Sequence, residues 1–342
     1  MANNKTFFVN KIFSLACLMI LVLVLSNISV MSFLLLTFKN RKKEDVHSSR
    51  IVELWNVDAF DAGYYGKTIF LEKIASRLFI KNTGLCVIVK NMSYEACVYN
   101  LQNGVYPDMI SYSHDLKENI KSLLRPMILH QEVVANNKSV YEADGHVLAV
   151  SWCAGAYFTF GNKVYLEKIN VHDNLLASVS KCGFNKKTKN KMVPIFSCVC
   201  GVNGIENYDR LINFGGGDVS NVVKKQSGYD AYTDFMGGAS TLLIGTQRDL
   251  LRILAKQDYA TNYIFEFESV YSNLFQYISV LSDNTEKIED CTLYINYLLS
   301  SEGQSMMDKF GMFSPIGCTT YDNLQWIELQ KKFNGIANLE VF

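Results

Sequence analysis

The chain has 342 residues, 49 % of them hydrophobic, enough for one large two-lobed body or two ordinary domains. Lys plus Arg and Asp plus Glu number 33 each, so the formal charge is zero. That balance, with no basic stripe interleaved with aromatics, excludes an electrostatically driven nucleic-acid binder.

Residues 1–11 form a short tail. Ile12 to Phe38 carries no charge and is apolar apart from a few Ser, Asn, Cys and Thr positions. At about 1.5 Å per residue it is long enough to span about 30 Å of hydrocarbon. A secretory h-region is shorter and ends at a small-x-small cleavage site. The segment is therefore read as an uncleaved transmembrane signal anchor. The long part of the apolar run comes after Cys17 rather than before it, which argues against a lipoprotein cleavage box. Lys39, Arg41, Lys42 and Lys43 outnumber Lys5 and Lys11, a bias that alone would hold the following domain in the cytoplasm. Residues 39–50 then read as a juxtamembrane linker.

From there strands and helices alternate. Ile51–Trp55 reads as a buried strand and Asn56–Gly66 as an Asp- and Gly-rich loop. Apolar residues at helical spacing mark Thr68–Phe79, which Thr83 and Gly84 close. Leu85–Val89 is a strand, Tyr94–Gln102 a helix and Met109–Tyr112 a strand. Such alternation predicts a parallel sheet covered on both faces, with ligands beyond the strands' carboxyl ends. Val147–Phe160 reads as an extended segment leaving one lobe. Lys181–Lys191 and the Gly-rich Asn213–Asp218 read as loops; no Gly-Lys-Ser/Thr follows the latter, so it is not a nucleotide loop. Further on, Tyr232–Met236 is helix-like, Ser240–Ile244 a strand, Gln247–Ala255 an amphipathic helix, Leu293–Phe310 another and Asn323–Phe333 the last. Of nine cysteines only Cys198 and Cys200 are close in sequence, and no His stands near them, which argues against zinc. The spacing of His47, His114, His130, His146 and His172 suggests no metal site either. No cofactor is expected.

Four segments, in order, resemble the extracellular solute-binding proteins of ABC importers, the class that includes the maltodextrin-binding protein. They are Ile51–Asn56 with its Asp/Gly loop and the helix exit Lys81–Gly84; Gly104–Asp115; Phe235–Gly245; and Tyr297–Gln304 with Gly311–Pro315. The resemblance spans residues 51–315. It implies an α/β, two-lobed periplasmic-binding-protein-like fold with discontinuous lobes and hinge strands, here preceded by the N-terminal transmembrane helix. Lobe 1 is expected at 51–150 plus 264–312, and lobe 2 at 151–263 plus 313–342. Crossings are expected near Ala149–Tyr157, Tyr263–Tyr271 and Gly311–Pro315. The implied function is capture of a carbohydrate or similar polar solute by hinge closure, for delivery to an ABC permease. The family also places the domain outside the cell, against the charge bias, and this reading follows the family. The protein is expected to act as a monomer and to do no chemistry.

Ligand contacts follow from the same resemblance. Asp58 and Asp61 follow the first strand; Tyr112 and Asp115 end the third. An aromatic face covers a sugar's C–H face and a carboxylate accepts from its hydroxyls. The alternatives are that Tyr112 packs and Asp115 caps a helix. Trp152 and Tyr157 flank the first crossing, and Trp152→Ala is expected to abolish binding while leaving the fold intact. Thr246, Gln247 and Arg248 open a helix whose free N–H groups suit a polar ligand; Arg248 pairing with Asp249 is the alternative. Tyr271 is expected on the return strand. The family often has Pro where Ser151 stands, maltodextrin binders carry a carboxylate near Gly155, and Gln247 stands where they tend to place Trp. The sugar-stacking set is therefore incomplete. A sensor feeding a signalling partner is the rival binding role. A glycan-active enzyme would need paired carboxylates of the kind Asp58, Asp61 and Asp115 offer, but no nucleophile–base constellation is visible.

Overall fold

The computed structural model describes residues 50–58, 60, 66–81, 83–168, 175, 198–201, 222–269, 274–317 and 320–335. The segment expected to cross a membrane lies outside them, and no helix among the described residues is long and apolar enough to do so.

The first sheet has six strands in the order β2-β1-β3-β11-β5-β4. Strand β1 (Arg50–Val57) lies between β2 (Leu85–Met92) and β3 (Met109–Ser113), parallel to both. Helices α1 (Lys67–Ile80) and α2 (Tyr94–Gln102) make the two crossovers. Ser93 caps α2, its hydroxyl accepting from the Ala96 N–H at 3.1 Å. These are the elements the alternation predicts. The sheet is nevertheless mixed. β11 (Phe275–Val280) arrives from the second sheet and runs antiparallel to β3 and to β5 (His146–Ala154), whose outer edge carries β4 (Val140–Ala143).

The second sheet has five strands in the order β10-β6-β9-β7-β8. β6 (Tyr157–Asn162) pairs antiparallel with β9 (Leu242–Thr246) and β10 (Tyr263–Ser269). β7 (Cys198–Gly201) is parallel to β9 and to β8 (Val222–Lys225). Helix α3 (Gly228–Met236) precedes β9, and α4 (Gln247–Leu254) follows it directly. Cys198 and Cys200 are both buried on β7.

The chain changes sheet at Gly155–Ala156, between β5 and β6, and again between Ser269 and Phe275. Two expected boundaries are thereby corrected. Residues 151–154 belong to the first sheet, because β5 continues to Ala154. Residues 264–269 belong to the second, because β10 pairs with β6. A third passage, at Phe313, bridges Ala154 and leads to helix α6 (Leu324–Asn334).

The passages meet at one junction. Ala154 N donates to Phe313 O at 3.0 Å, Phe313 N to Ala154 O at 2.8 Å, and Gly155 N to Leu274 O at 2.7 Å. Aromatic rings fill the space around it. Phe313 stacks on Trp326 with centroids 4.9 Å apart and on Phe333 at 5.3 Å, and Phe333 reaches Phe275 at 6.3 Å. Trp326 Nε1 donates to Met312 O at 3.0 Å, so the ring is both buried and satisfied.

The helix expected at Leu293–Phe310 is three pieces. Helix α5 (Thr285–Leu298) begins earlier, where Asn284 Oδ1 accepts from the Lys287 N–H at 3.2 Å. It stops at Leu299, and Ser300 caps a new turn, Ser301–Gln304, by accepting from the Gly303 N–H at 3.1 Å. A Cβ on Gly303 would collide with the backbone carbonyls of Tyr297 and Leu298, so only glycine allows that close return. Met307–Phe310 follows, ended by Gly311 in the left-handed region at φ 66°.

Trp152 is the largest fully buried side chain of the first sheet. It stacks on Phe70 of α1 at 5.4 Å, and its Nε1 donates to Ser111 Oγ at 3.0 Å. No face of it meets solvent, so its expected role as a stacking platform at the crossing is corrected: β5 turns it into the core. Trp152→Ala should therefore lower the unfolding free energy by about 3–5 kcal/mol in urea denaturation, with or without solute, rather than spare the fold.

Candidate functional site

The carboxyl ends of β1 and β3 face the first turn of α1, and a buried polar network joins them. Asn56 Nδ2 donates to Asp58 Oδ1 and to Thr68 Oγ1, each at 3.0 Å. Its Oδ1 accepts from Ser111 Oγ at 2.9 Å. Gln276 on β11 donates through Nε2 to Ser111 Oγ at 2.9 Å and to Val57 O at 2.8 Å. Asn56, Ser111 and Gln276 have no exposed surface. Each is held in place by partners, as buried polar groups must be, and the network fixes the end of β1 where Asp58 emerges.

Lys67, the first residue of α1, closes this corner. Its side chain is wholly buried, and its ammonium lies 3.3 Å from Asp58 Oδ1 and donates to Phe60 O. It also sits 4.1 Å from the centroid of the Phe60 ring. Burial pulls its pKa below the ordinary lysine value, and the Asp58 charge opposes that shift. The Asp58 carboxylate keeps 43 % of its side-chain surface exposed, so it is paired on one side and open on the other.

A second polar corner lies at the junction. Thr246 ends β9 and opens α4, and its N–H donates to Asp249 Oδ2 at 3.1 Å. Gln247 N donates to Ala156 O at 3.1 Å, and the Gln247 side chain returns to accept from the Ala156 N–H at 3.0 Å. A Cβ at Gly155 would stand 2.6 Å from Gln247 Oε1. The space beside the crossing is thus already filled by Gln247. Asp249 is buried and pairs with Arg252 at 3.4 Å; burial raises its pKa, against the Thr246 N–H and the Arg252 charge. Arg252 in turn lies over the rings of Tyr229 at 5.1 Å and Tyr232 at 5.2 Å.

The expected site residues therefore divide. Asp58 stands at the end of β1. Tyr157, Thr246 and Gln247 share the junction corner, Tyr157 and Thr246 as directly paired strand residues. Arg248 follows on α4, half-buried; its pKa is lowered by burial and by Arg252, and the Asp249 carboxylate is paired to Arg252. Asp115 is exposed on a short helical turn after β3. Tyr112 is corrected to a core residue, fully buried, with its hydroxyl 3.1 Å from Ser279 Oγ and its ring 5.8 Å from Tyr277. Trp152 joins it in the core. Asp61 and Tyr271 lie outside the described residues. Gln247 is fully buried, and its amide oxygen accepts from the Ala156 N–H at the crossing. Lys67, Asn56, Ser111 and Gln276 were not read as site residues. The one signal was a lysine in a helix's first turn, where the macrodipole disfavours a cation. No group of His, Cys, Asp and Glu among the described residues could hold a metal ion.

A separate groove of about 490 Å³ lies on the first half between the end of α1 and α5, floored by Leu78, Leu293 and Ile316. None of the expected site residues lines it.

No family model matches the chain, and no curated protein matches it. Solved structures do match in fold. One is the maltose/maltodextrin-binding domain MalE from Bdellovibrio bacteriovorus bound to maltotriose, with TM-score 0.53, 12 % identity and coverage of 84 % of this chain and 88 % of that one. Another is the GacH receptor of Streptomyces glaucescens, solved unliganded and with acarbose, at TM-score 0.56, 13 % identity and coverage of 85 % and 87 %. A family 1 extracellular solute-binding protein from Bifidobacterium longum subsp. infantis matches at TM-score 0.57, 11 % identity and coverage of 85 % and 88 %. The chain has the fold of the ABC solute-binding proteins.

Gly155 and Gln247 should behave as a coupled pair. Gln247→Ala strands the buried Ala156 N–H and should cost about 1–3 kcal/mol in chemical denaturation. Gly155→Ala should be similarly costly in the native background but nearly neutral once Gln247 is alanine. A coupling energy of about 1 kcal/mol or more is expected from the double-mutant cycle.

Glu268, at the end of β10, gives a pH signature. Burial pushes its carboxyl up to about 7; Thr159 opposes the shift, Glu266 adds to it and Lys332 opposes it. Its Oε1 is buried without a hydrogen-bond partner among the described residues. The native state therefore holds a proton that the unfolded chain releases near its ordinary value of 4.5. Between those values the native state binds more proton, so stability falls as pH rises from about 4.5 to about 7. Glu268→Gln should remove about 1–3 kcal/mol of that fall, read as the difference between variant and native unfolding curves across the interval.

Proposed function

We propose that this chain is the solute receptor of an ABC importer, taking a carbohydrate or similar polar solute between its two halves and presenting it to a membrane permease. The observation that carries this is the single junction at which the three passages between the sheets hydrogen-bond to one another. In this reading the junction acts as a hinge, with the carboxyl ends of β1 and β9 as its two sides. The first half comprises residues 50–154 and 275–312; the second comprises 157–269 and the helix 324–334. Asp58 offers a half-open carboxylate from one side. Thr246 and Arg248 offer polar groups from the other, Tyr157 being buried in the second hydrophobic cluster, and Asp61, Asp115 and Tyr271 complete the candidate set. Support comes also from the fold matches, whose own ligands include maltotriose and acarbose. Gly155 and Gln247 close off one place beside the crossing, so the solute is not assigned to the maltodextrins. In this reading the chain does no chemistry and works as a monomer. Residues 12–38 anchor it in the membrane, with the domain outside the cell.

The test is a thermal-shift screen of the full chain in detergent against mono- and oligosaccharides, amino acids and phosphorylated polyols. A true solute at 100 times its Kd should stabilise the fold by about 2.7 kcal/mol. Asp58→Asn should weaken that stabilisation without moving the unliganded midpoint. A screen in which no polar solute shifts the transition would remove the receptor reading.

A further inference from the structure

We propose that Lys67 is a positioning residue: it locks Phe60 as a wedge between the two halves and so sets how easily the junction opens. Three observations lead there. First, a lysine is almost never buried unless paired, yet the Lys67 side chain has no exposed surface. An apolar residue of similar volume would fill the same space without the desolvation cost. An ammonium kept at that cost serves geometry. Second, apart from an electrostatic interaction with the buried Cys153 of β5, its polar and cation–π partners fall on one short stretch of the chain. They are the Asp58 carboxylate at 3.3 Å, the Phe60 carbonyl, and the Phe60 ring, whose centroid lies 4.1 Å away. A carbonyl and a ring face of the same residue, both held by one cation, fix Phe60 in backbone and in side chain.

Third, Phe60 belongs by sequence to the first half, but its ring packs against both hydrophobic clusters. One runs through the first sheet and the inner face of the second. The other holds Tyr157 and Leu274, the residues that flank the junction. Leu274 O is the acceptor for Gly155 N, so the cluster against which the wedge packs includes a residue that closes the junction itself. Lys67 is anchored in turn by α1, whose next residue, Thr68, is tied to Asn56 and through it to the Ser111–Gln276 network. Besides its strands β5 and β11, which run into the junction, the network of the first half thus reaches the second cluster through one buried cation and one ring. Removing either should free the halves without unfolding them.

The proposal rests on the receptor reading only in treating the junction as a hinge, and its test uses no solute. Hydrogen–deuterium exchange of the full chain in detergent reports the Gly155, Ala156 and Tyr157 amides as the junction, the β3 amides as first-half core and the α1 amides as local packing. Lys67→Met and Phe60→Ala should each speed exchange at the junction about tenfold. Both should leave β3 unchanged. The double variant should open the junction no further than either single one, because the two residues act in series. If exchange quickens only in α1 while the junction stays as protected as in the native chain, Lys67 is local packing and the proposal is overturned. Should Lys67→Met fail to fold, Phe60→Ala decides alone, since it trims a partly buried ring and leaves the cation in place. An unchanged junction in that variant overturns the proposal equally. A protein that binds no solute in the thermal-shift screen would sink the receptor reading without touching this result.

Discussion

Three separate stretches of chain leave one sheet for the other, and each carries backbone N–H and C=O groups that belong to no sheet ladder. A buried backbone group must find a partner. Here the stretches find each other, at Ala154, Gly155, Leu274 and Phe313. That requirement fixes much else. It sets where β5 ends and β6 begins, leaves no room for a side chain at Gly155 beside Gln247, and brings the aromatic rings of Phe313, Phe333 and Trp326 around the junction. These backbone ties lie within a hydrophobic core that runs through both sheets, so the junction is the polar part of a wider contact between the halves.

The polar interior of the first half has a different logic. Asn56, Ser111, Gln276 and the indole N–H of Trp152 satisfy one another around a single hydroxyl. Such a network stabilises little relative to apolar packing, but it tolerates only one arrangement, since any displaced member leaves a buried group unpaired. It lies at the carboxyl ends of parallel strands, the place where α/β sheets receive their ligands. The network also holds Asp58, through Asn56 and Lys67, on one side while the other stays exposed.

Much of the architecture was legible because it rests on local signals. Apolar spacing in α1, the helix pattern of α2 and the short apolar runs of β1 and β3 are each complete within about a dozen residues. What escaped depends on distant partners. α5 begins in a charged stretch, Thr285 to Asp290, which reads as polar until Ile288, Cys291, Tyr294, Ile295 and Leu298 are placed on one face. The mixed character of the first sheet follows from β11 arriving out of the other sheet, which no window of sequence reveals. The candidate site fared similarly. Position along the chain located the strand ends, but which way Tyr112 and Trp152 point depends on register against β11 and β5. Both turn inward.

Lys67 shows where a local anomaly carried information. A cation in the first turn of a helix opposes the macrodipole, and α1 has no side-chain cap to compensate, since Gly66 occupies that position. Local preference would place an acid or a small hydroxyl there. Natural chains break such rules chiefly where function or strain intervenes. Here the violation coincides with complete burial, a carboxylate partner that stays half open, and an aromatic ring touching both hydrophobic clusters. Any one of these alone would be ordinary. Their convergence on one ammonium, beside the strand ends that face the other half, makes a purely structural lysine the less economical account, because burial without purpose would have favoured methionine or leucine at the same position.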